Sequence, residues 1–136
     1  MAWERVYTVN DFWDGPRLGV ADVFGRPHIY ASPFNEAKDD FDDFYVVSPI
    51  GPELLALVLE DWDIWIRWSD AFHRGEASQE THPALPENRA RHEELKALIG
   101  TRLRTNPSAC RNLKAEFRSV GLGWNGMEVQ WSEPER

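Results

Sequence analysis

Asp14, Arg17, Asp22, His28 and Tyr30 put two carboxylates, a guanidinium, an imidazole and a phenol into one short stretch near the amino terminus. Those groups suit a small anionic-ligand site or a modest acid–base enzyme. Arg17 would clamp an anion, and His28 would move a proton while a carboxylate orients it. On a two-residue hairpin around Gly25-Arg26, Val23 faces His28 and Asp22 faces Ile29, so Asp22 and His28 stand diagonal rather than paired. A nucleophile is lacking. There is no G-x-S-x-G, and Cys110, the single cysteine, lies in a basic loop far along the chain. The plainer reading has Asp14 and Arg17 stabilising a turn while Asp22 and His28 make edge hydrogen bonds. No catalytic residue and no cofactor is assigned.

Other motifs fail on context. Gly121-Leu-Gly123-Trp-Asn-Gly126 spells G-x-G-x-x-G, but a dinucleotide fingerprint needs a helix directly after it and an acid about 20 residues on. The short remainder reads as a strand, so a hairpin turn fits better. His92-Glu93-Glu94-Leu95 begins like a zinc-protease helix, yet Lys96 stands where the second histidine is needed. His73, His82 and His92 border one loop without a ligand-spacing pair, so no metal is assigned. The acids Glu36, Asp39, Asp40, Asp42 and Asp43 lack the calcium-loop order and read as a solvated, self-repelling loop. No phosphate-binding G-x-x-x-x-G-K-[ST] occurs.

Charge points to a partner more than to a reaction. The chain carries 23 acids and 15 bases, net −8. Sixteen acids against six bases make residues 1–85 net −10, while residues 86–136 are net +2. An acidic balance opposes generic nucleic-acid and membrane binding. The leading expectation is a non-enzymatic interaction module, of immunity, adaptor or regulatory type, binding a partner protein through an acidic and aromatic surface. Its candidate residues are Phe12, Trp13, Glu36, Asp39, Asp40, Asp42, Asp43 and Trp124. Aromatic anchors beside charge are what hot spots and steering are built from. The first alternative is the ligand site above. The second is RNA binding through residues 89–118, whose acids at i,i+3 and i,i+4, such as Glu93 after Arg89, argue instead for a salt-laced helix.

These groups must be positioned by short strands and two helices. Trp3–Val9 alternates as a strand, with Val6 and Thr8 on one face and Tyr7 and Val9 on the other. Asn10 to Pro16 is turn chemistry. Leu18–Phe24 and His28–Ser32 form a hairpin, and Phe44–Val47 is a fourth strand. Gly51-Pro52-Glu53 opens a helix ending at Gly75. Leu54, Leu55, Val58, Leu59, Trp62, Trp65, Ile66, Trp68 and Phe72 recur along it at helical spacing, so Trp62, Trp65 and Trp68 form a core-facing stripe. Pro86-Glu87 opens a second helix that stops at Gly100 or Thr105. Ala115–Val120 and Met127–Trp131 close the chain as strands. The order ββββ-α-α-ββ defines an α+β fold, an antiparallel sheet with two helices packed on it, either open or curved into a small barrel. The length, 136 residues, suits a single domain over 1–136.

The longest apolar run, Leu54–Leu59, is too short to span a bilayer. Charged residues occupy the amino-terminal segment where a signal peptide would be apolar. With one cysteine no internal disulfide forms, and the expected location is cytoplasmic. Asp14-Gly-Pro-Arg17, Gly19-Val-Ala-Asp22, Gly25-Arg-Pro-His28-x-Tyr30, Glu60-Asp-Trp62-x-Ile-Trp65 and Thr81-His-Pro-Ala-Leu-Pro-Glu87, together spanning roughly residues 10–100, resemble a group of small bacterial proteins. That resemblance implies a bacterial cytosolic origin and no particular activity.

Overall fold

The structure is a computed structural model in which residues 2–121, 124 and 126–134 are described. The fold is α+β: an antiparallel sheet closed into a six-stranded barrel, two helices, and a small extra hairpin. The chain divides into two compact units, residues 1–50 with 103–136 and residues 51–102.

The first unit is the barrel. Its strands are β1 (Glu4–Phe12), β2 (Pro16–Val23), β3 (Arg26–Ala31), β6 (Tyr45–Pro49), β7 (Arg111–Ser119) and β8 (Met127–Ser132), neighbours in that order with β8 returning to β1. Between β3 and β6, β4 (Phe34–Asn35) pairs with β5 (Asp40–Phe41) as a separate hairpin. Val6, Tyr30, Tyr45, Val47, Leu113, Val129 and Trp131 fill the interior. Tyr30, Tyr45, Phe117 and Trp131 pack ring against ring with centroids 5.4–6.4 Å apart. Two phenols are satisfied inside: Tyr30 Oη donates to the Thr8 carbonyl at 2.9 Å and Tyr45 Oη to that of Pro16 at 2.6 Å. Gly19 makes the first possible. A Cβ there would sit 2.2 Å from the Thr8 carbonyl oxygen and 2.6 Å from Tyr30 Oη.

Four local expectations are corrected. The β2–β3 turn is Phe24-Gly25, not Gly25-Arg26: Val23 stands opposite Arg26, Asp22 opposite Pro27 and Ala21 opposite His28. Phe24 takes φ 52° and Gly25 φ 82°, the double positive φ that a primed two-residue turn requires. Glu4 supports it, its carboxylate accepting from the Phe24 and Gly25 amides at 3.0 and 2.6 Å. β1 does not alternate cleanly, because the register slips between Val6 and Thr8. That bulge buries Thr8 and Val9 together. β1 also runs on to Phe12, leaving Trp13-Asp14-Gly15 as the turn, with Asp14 at φ 54° and Gly15 at φ 128°. Finally, the acidic stretch is no open loop. It is the β4–β5 hairpin, closed by an edge-on Phe34–Phe41 pair at 5.2 Å.

The second unit contains α1 (Pro52–His73) and α2 (Arg89–Ile99). Pro52 in the first turn and Glu53 beside it start α1. Pro86–Asn88 forms a single tight turn, so α2 begins at Arg89 rather than at Pro86, and Gly100 at φ 52° stops it. Ile64, Ala84 and Leu95 are the buried centre, flanked by Leu57 and Ile99. Trp62 and Trp68 are buried and Trp65 is half-buried, with the Trp62 and Trp65 rings stacked at 5.0 Å. Arg91 Nε and Nη2 donate to the two Glu60 oxygens at 2.6 and 2.7 Å, which lowers the Glu60 pKa and fixes α2 on α1.

Candidate functional site

The antiparallel order sends three connections to one mouth of the barrel. They are the β1–β2 turn, the β4–β5 hairpin and the connection from β7 to β8. Of the residues named from sequence as partner contacts, Trp13, Glu36, Asp39, Asp40 and Trp124 lie on these connections, Phe12 ends β1 beside the first, and Asp42 and Asp43 follow the hairpin on the way to β6. We call this the upper mouth. Phe12 and Trp124, far apart in sequence, meet edge to face with centroids 5.4 Å apart. Trp13 is 71% exposed, Phe12 49% and Phe34 51%.

Arg17 binds two of the connections together. Its Nε and Nη2 donate to the carbonyls of Trp13 and Asp14 at 2.8 and 3.1 Å, and Nη1 donates to Ser32 Oγ at 3.2 Å. Its guanidinium lies 4.3 Å above the Phe41 ring. The aromatic turn and the acidic hairpin are thus held on one rim by a single half-buried side chain. Within the hairpin the acids differ. Asp42 is half-buried, accepting from Asn35 Nδ2 at 3.0 Å with Lys38 Nζ 3.7 Å away. Asp40 caps the Phe41 amide, and Asp39 takes a left-handed φ of 52° in the turn. Glu36, Asp39, Asp40 and Asp43 are exposed to solvent.

The alternative ligand set is not gathered in one place. Asp14 and Arg17 sit at the upper mouth. Asp22 and His28 lie toward the opposite end of β2 and β3, about 16 Å along a strand from Arg17. Tyr30 is fully buried between the ends, its pKa raised by burial and then by Tyr45. Three of Arg17's five N–H donors are used within the fold. His28 Nδ1 donates to the Arg26 carbonyl at 2.7 Å. Asp22 lies beside Tyr7, whose phenol pKa is raised by burial first and by Asp22 second, and Asp22 Oδ1 is buried with no hydrogen-bond partner among the described residues.

The remaining histidines go separate ways. His73 Nδ1 donates to the Ser69 carbonyl at 2.7 Å, His92 Nδ1 to Asp61 Oδ1 at 2.7 Å, and His82 Nε2 accepts from Trp65 Nε1 at 3.4 Å. Among the described residues no three His, Cys, Asp or Glu side chains are grouped to hold a metal. Leu122, Gly123 and Asn125 of the G-x-G-x-x-G stretch lie outside the described residues. Around them β7 and β8 pair as a hairpin, with the Val120 amide donating to the Gly126 carbonyl at 2.5 Å. Four arginines of the 89–118 stretch pair with carboxylates: Arg91 with Glu60 and Glu94, Arg102 with Glu53, Arg111 with Glu133 and Arg118 with Glu128. Among the described residues no helix is long and apolar enough to cross a membrane.

Sequence reasoning missed the Phe34–Phe41 pair and the rim role of Arg17. The signal for the first was present, as two phenylalanines flank a polar segment rich in turn formers. The second had none, since it depends on β2 and the β4–β5 hairpin meeting in space. Compared with known proteins, the chain matches no family model, and no curated protein or solved structure is significantly similar to it.

Proposed function

We propose that the chain is a non-enzymatic interaction module that binds a basic protein partner at the upper mouth. The observation carrying this reading is the union on one rim of three exposed aromatics with four exposed acids. Trp13, Phe12 and Phe34 supply apolar anchor area, and Glu36, Asp39, Asp40 and Asp43 supply a field that steers a cationic surface toward them. The residues with acid–base character elsewhere are scattered or committed to the fold, which favours binding over catalysis. Immunity, adaptor and regulatory roles all use such a surface.

Retention of proteins from an extract of the native host tests it. The immobilised chain is compared with a variant carrying Glu36→Gln, Asp39→Asn, Asp40→Asn and Asp43→Asn, which leaves the structural Asp42 in place. A partner retained by the first and lost by the second supports the acidic mouth. Retention indifferent to the four changes contradicts it.

A further inference from the structure

The barrel is closed, but its seams are unequal. β6 faces β7 only at Tyr45–Leu113, Val46–Asn112 and Val47–Arg111. Above Tyr45 the chain turns away into the acidic hairpin, where the Asp42 amide is already bonded to the Pro33 carbonyl at 2.8 Å. β7 does not stop there. It continues beside β8 to Ser119, in regular register. Residues 115–119 of β7 therefore have β8 on one side and, among the described residues, no strand on the other.

The direction of the unpaired groups follows from the ladder. Val120 and Gly126 are bonded across the hairpin through the Val120 amide. Antiparallel pairs alternate, so Arg118 and Glu116 direct their amides and carbonyls to β8. Ala115, Phe117 and Ser119 direct theirs outward. The edge contains neither proline nor a bulge, two of the devices by which sheet edges are usually blunted. Its charge environment selects among occupants. Asp43 stands two residues before Tyr45, whose partner is Leu113, so the acidic segment leaves the sheet beside the start of the vacant side, and Glu116 is exposed on the strand itself. Arg118, a cation on the same strand, is bound by Glu128 at 2.8 Å and lies 3.9 Å from the centre of the Trp3 ring.

We propose that Ala115–Ser119 is a strand-accepting edge. The partner presents an extended segment with Lys or Arg at alternate positions, which adds to β7 as a further strand while the acids of the β4–β5 hairpin meet its charge. This inference rests on the upper mouth being the partner-binding surface and names the form in which the partner arrives.

The test uses the full chain and a fluorescein-labelled nine-residue peptide of alternating Lys and Thr, followed by anisotropy. Two further peptides carry N-methyl groups on one alternate set of amides or on the other. Strand addition uses only one set, so one methylated peptide should lose binding by roughly tenfold or more while the other retains it. Ser119→Pro, which removes an outward amide at an exposed strand end, should weaken the parent peptide similarly. A counterpart peptide of alternating Glu and Thr should not bind.

Equal binding by both methylated peptides overturns the strand addition. If that binding still falls in the four-acid variant, the acidic mouth stands without it. No binding by the parent peptide also overturns the inference, and retention of the host partner then judges the mouth separately. Self-association of the chain that Ser119→Pro abolishes would assign the edge to a second copy instead.

Discussion

The two mouths of the barrel are built from the same strands and finished in opposite ways. At the lower mouth, several polar groups are matched, although Asp22 Oδ1 is buried without a partner among the described residues. Glu4 takes both amides of the Phe24-Gly25 turn, Trp131 Nε1 donates to the Asp22 carbonyl at 2.8 Å, and Arg111 pairs with Glu133 while covering Phe24. At the upper mouth, Arg17 is consumed in holding the connections together. The acids and aromatics it gathers are left facing solvent. One end is tied by these bonds around a small apolar pocket lined by Ala2, Glu4, Phe24, Gly25 and Trp131, and the other presents acids and exposed aromatics. This difference is what the proposed binding at the upper mouth draws on.

The comparison breaks first at the barrel that both mouths share. Gly19→Ala drives a methyl into the Thr8 carbonyl and Tyr30 Oη, and urea unfolding should show a loss of about 3 kcal/mol. Next come changes that separate the ends. Glu4→Ala leaves two turn amides without their carboxylate and should cost about 1–2 kcal/mol. Trp13→Ala should change stability by less than about 0.5 kcal/mol, because its ring is largely in solvent. The same substitution should sharply reduce partner retention.

Titration gives smaller effects with defined signs. Burial raises the pKa of Tyr30 and Tyr45. Their contribution is complete below the ordinary tyrosine pKa of about 10 and is lost as pH rises beyond it. The barrel should therefore lose stability in alkali, and Tyr30→Phe should lessen that loss while lowering stability at neutral pH. In the helical unit the sign reverses. Glu60 is held below its usual pKa by Arg91, so its contribution is present above the ordinary carboxylate range and lost as pH falls. Glu60 is exposed, and thermal melts of Glu60→Gln should differ from the parent only slightly near neutral pH.

Much of this architecture was legible in the residues. The apolar spacing from Leu54 to Phe72 defines α1, and Gly100 stops α2, because both signals are local. The acids of 36–43 and the aromatics at Phe12, Trp13 and Trp124 were also visible. What the chain order hides is that they share a rim. Linear charge blocks mislead for the same reason: in the net-positive carboxyl-terminal part Arg91, Arg102, Arg111 and Arg118 each fold onto a carboxylate. The β2–β3 turn was misplaced by one residue because a phenylalanine occupies a left-handed position that composition rules reserve for glycine and asparagine. The amide support from Glu4, distant in sequence, helps hold it there.

Trp13 and Phe24 allow the most direct test, as exposed aromatics at opposite mouths, 71% and 54% accessible. Trp13→Ala and Phe24→Ala are compared for partner retention from the native host, with circular dichroism confirming that both remain folded. Loss of the partner with Trp13→Ala and its retention with Phe24→Ala is the predicted result. Equal loss in both, or loss only with Phe24→Ala, would contradict the assignment of the upper mouth as the binding surface.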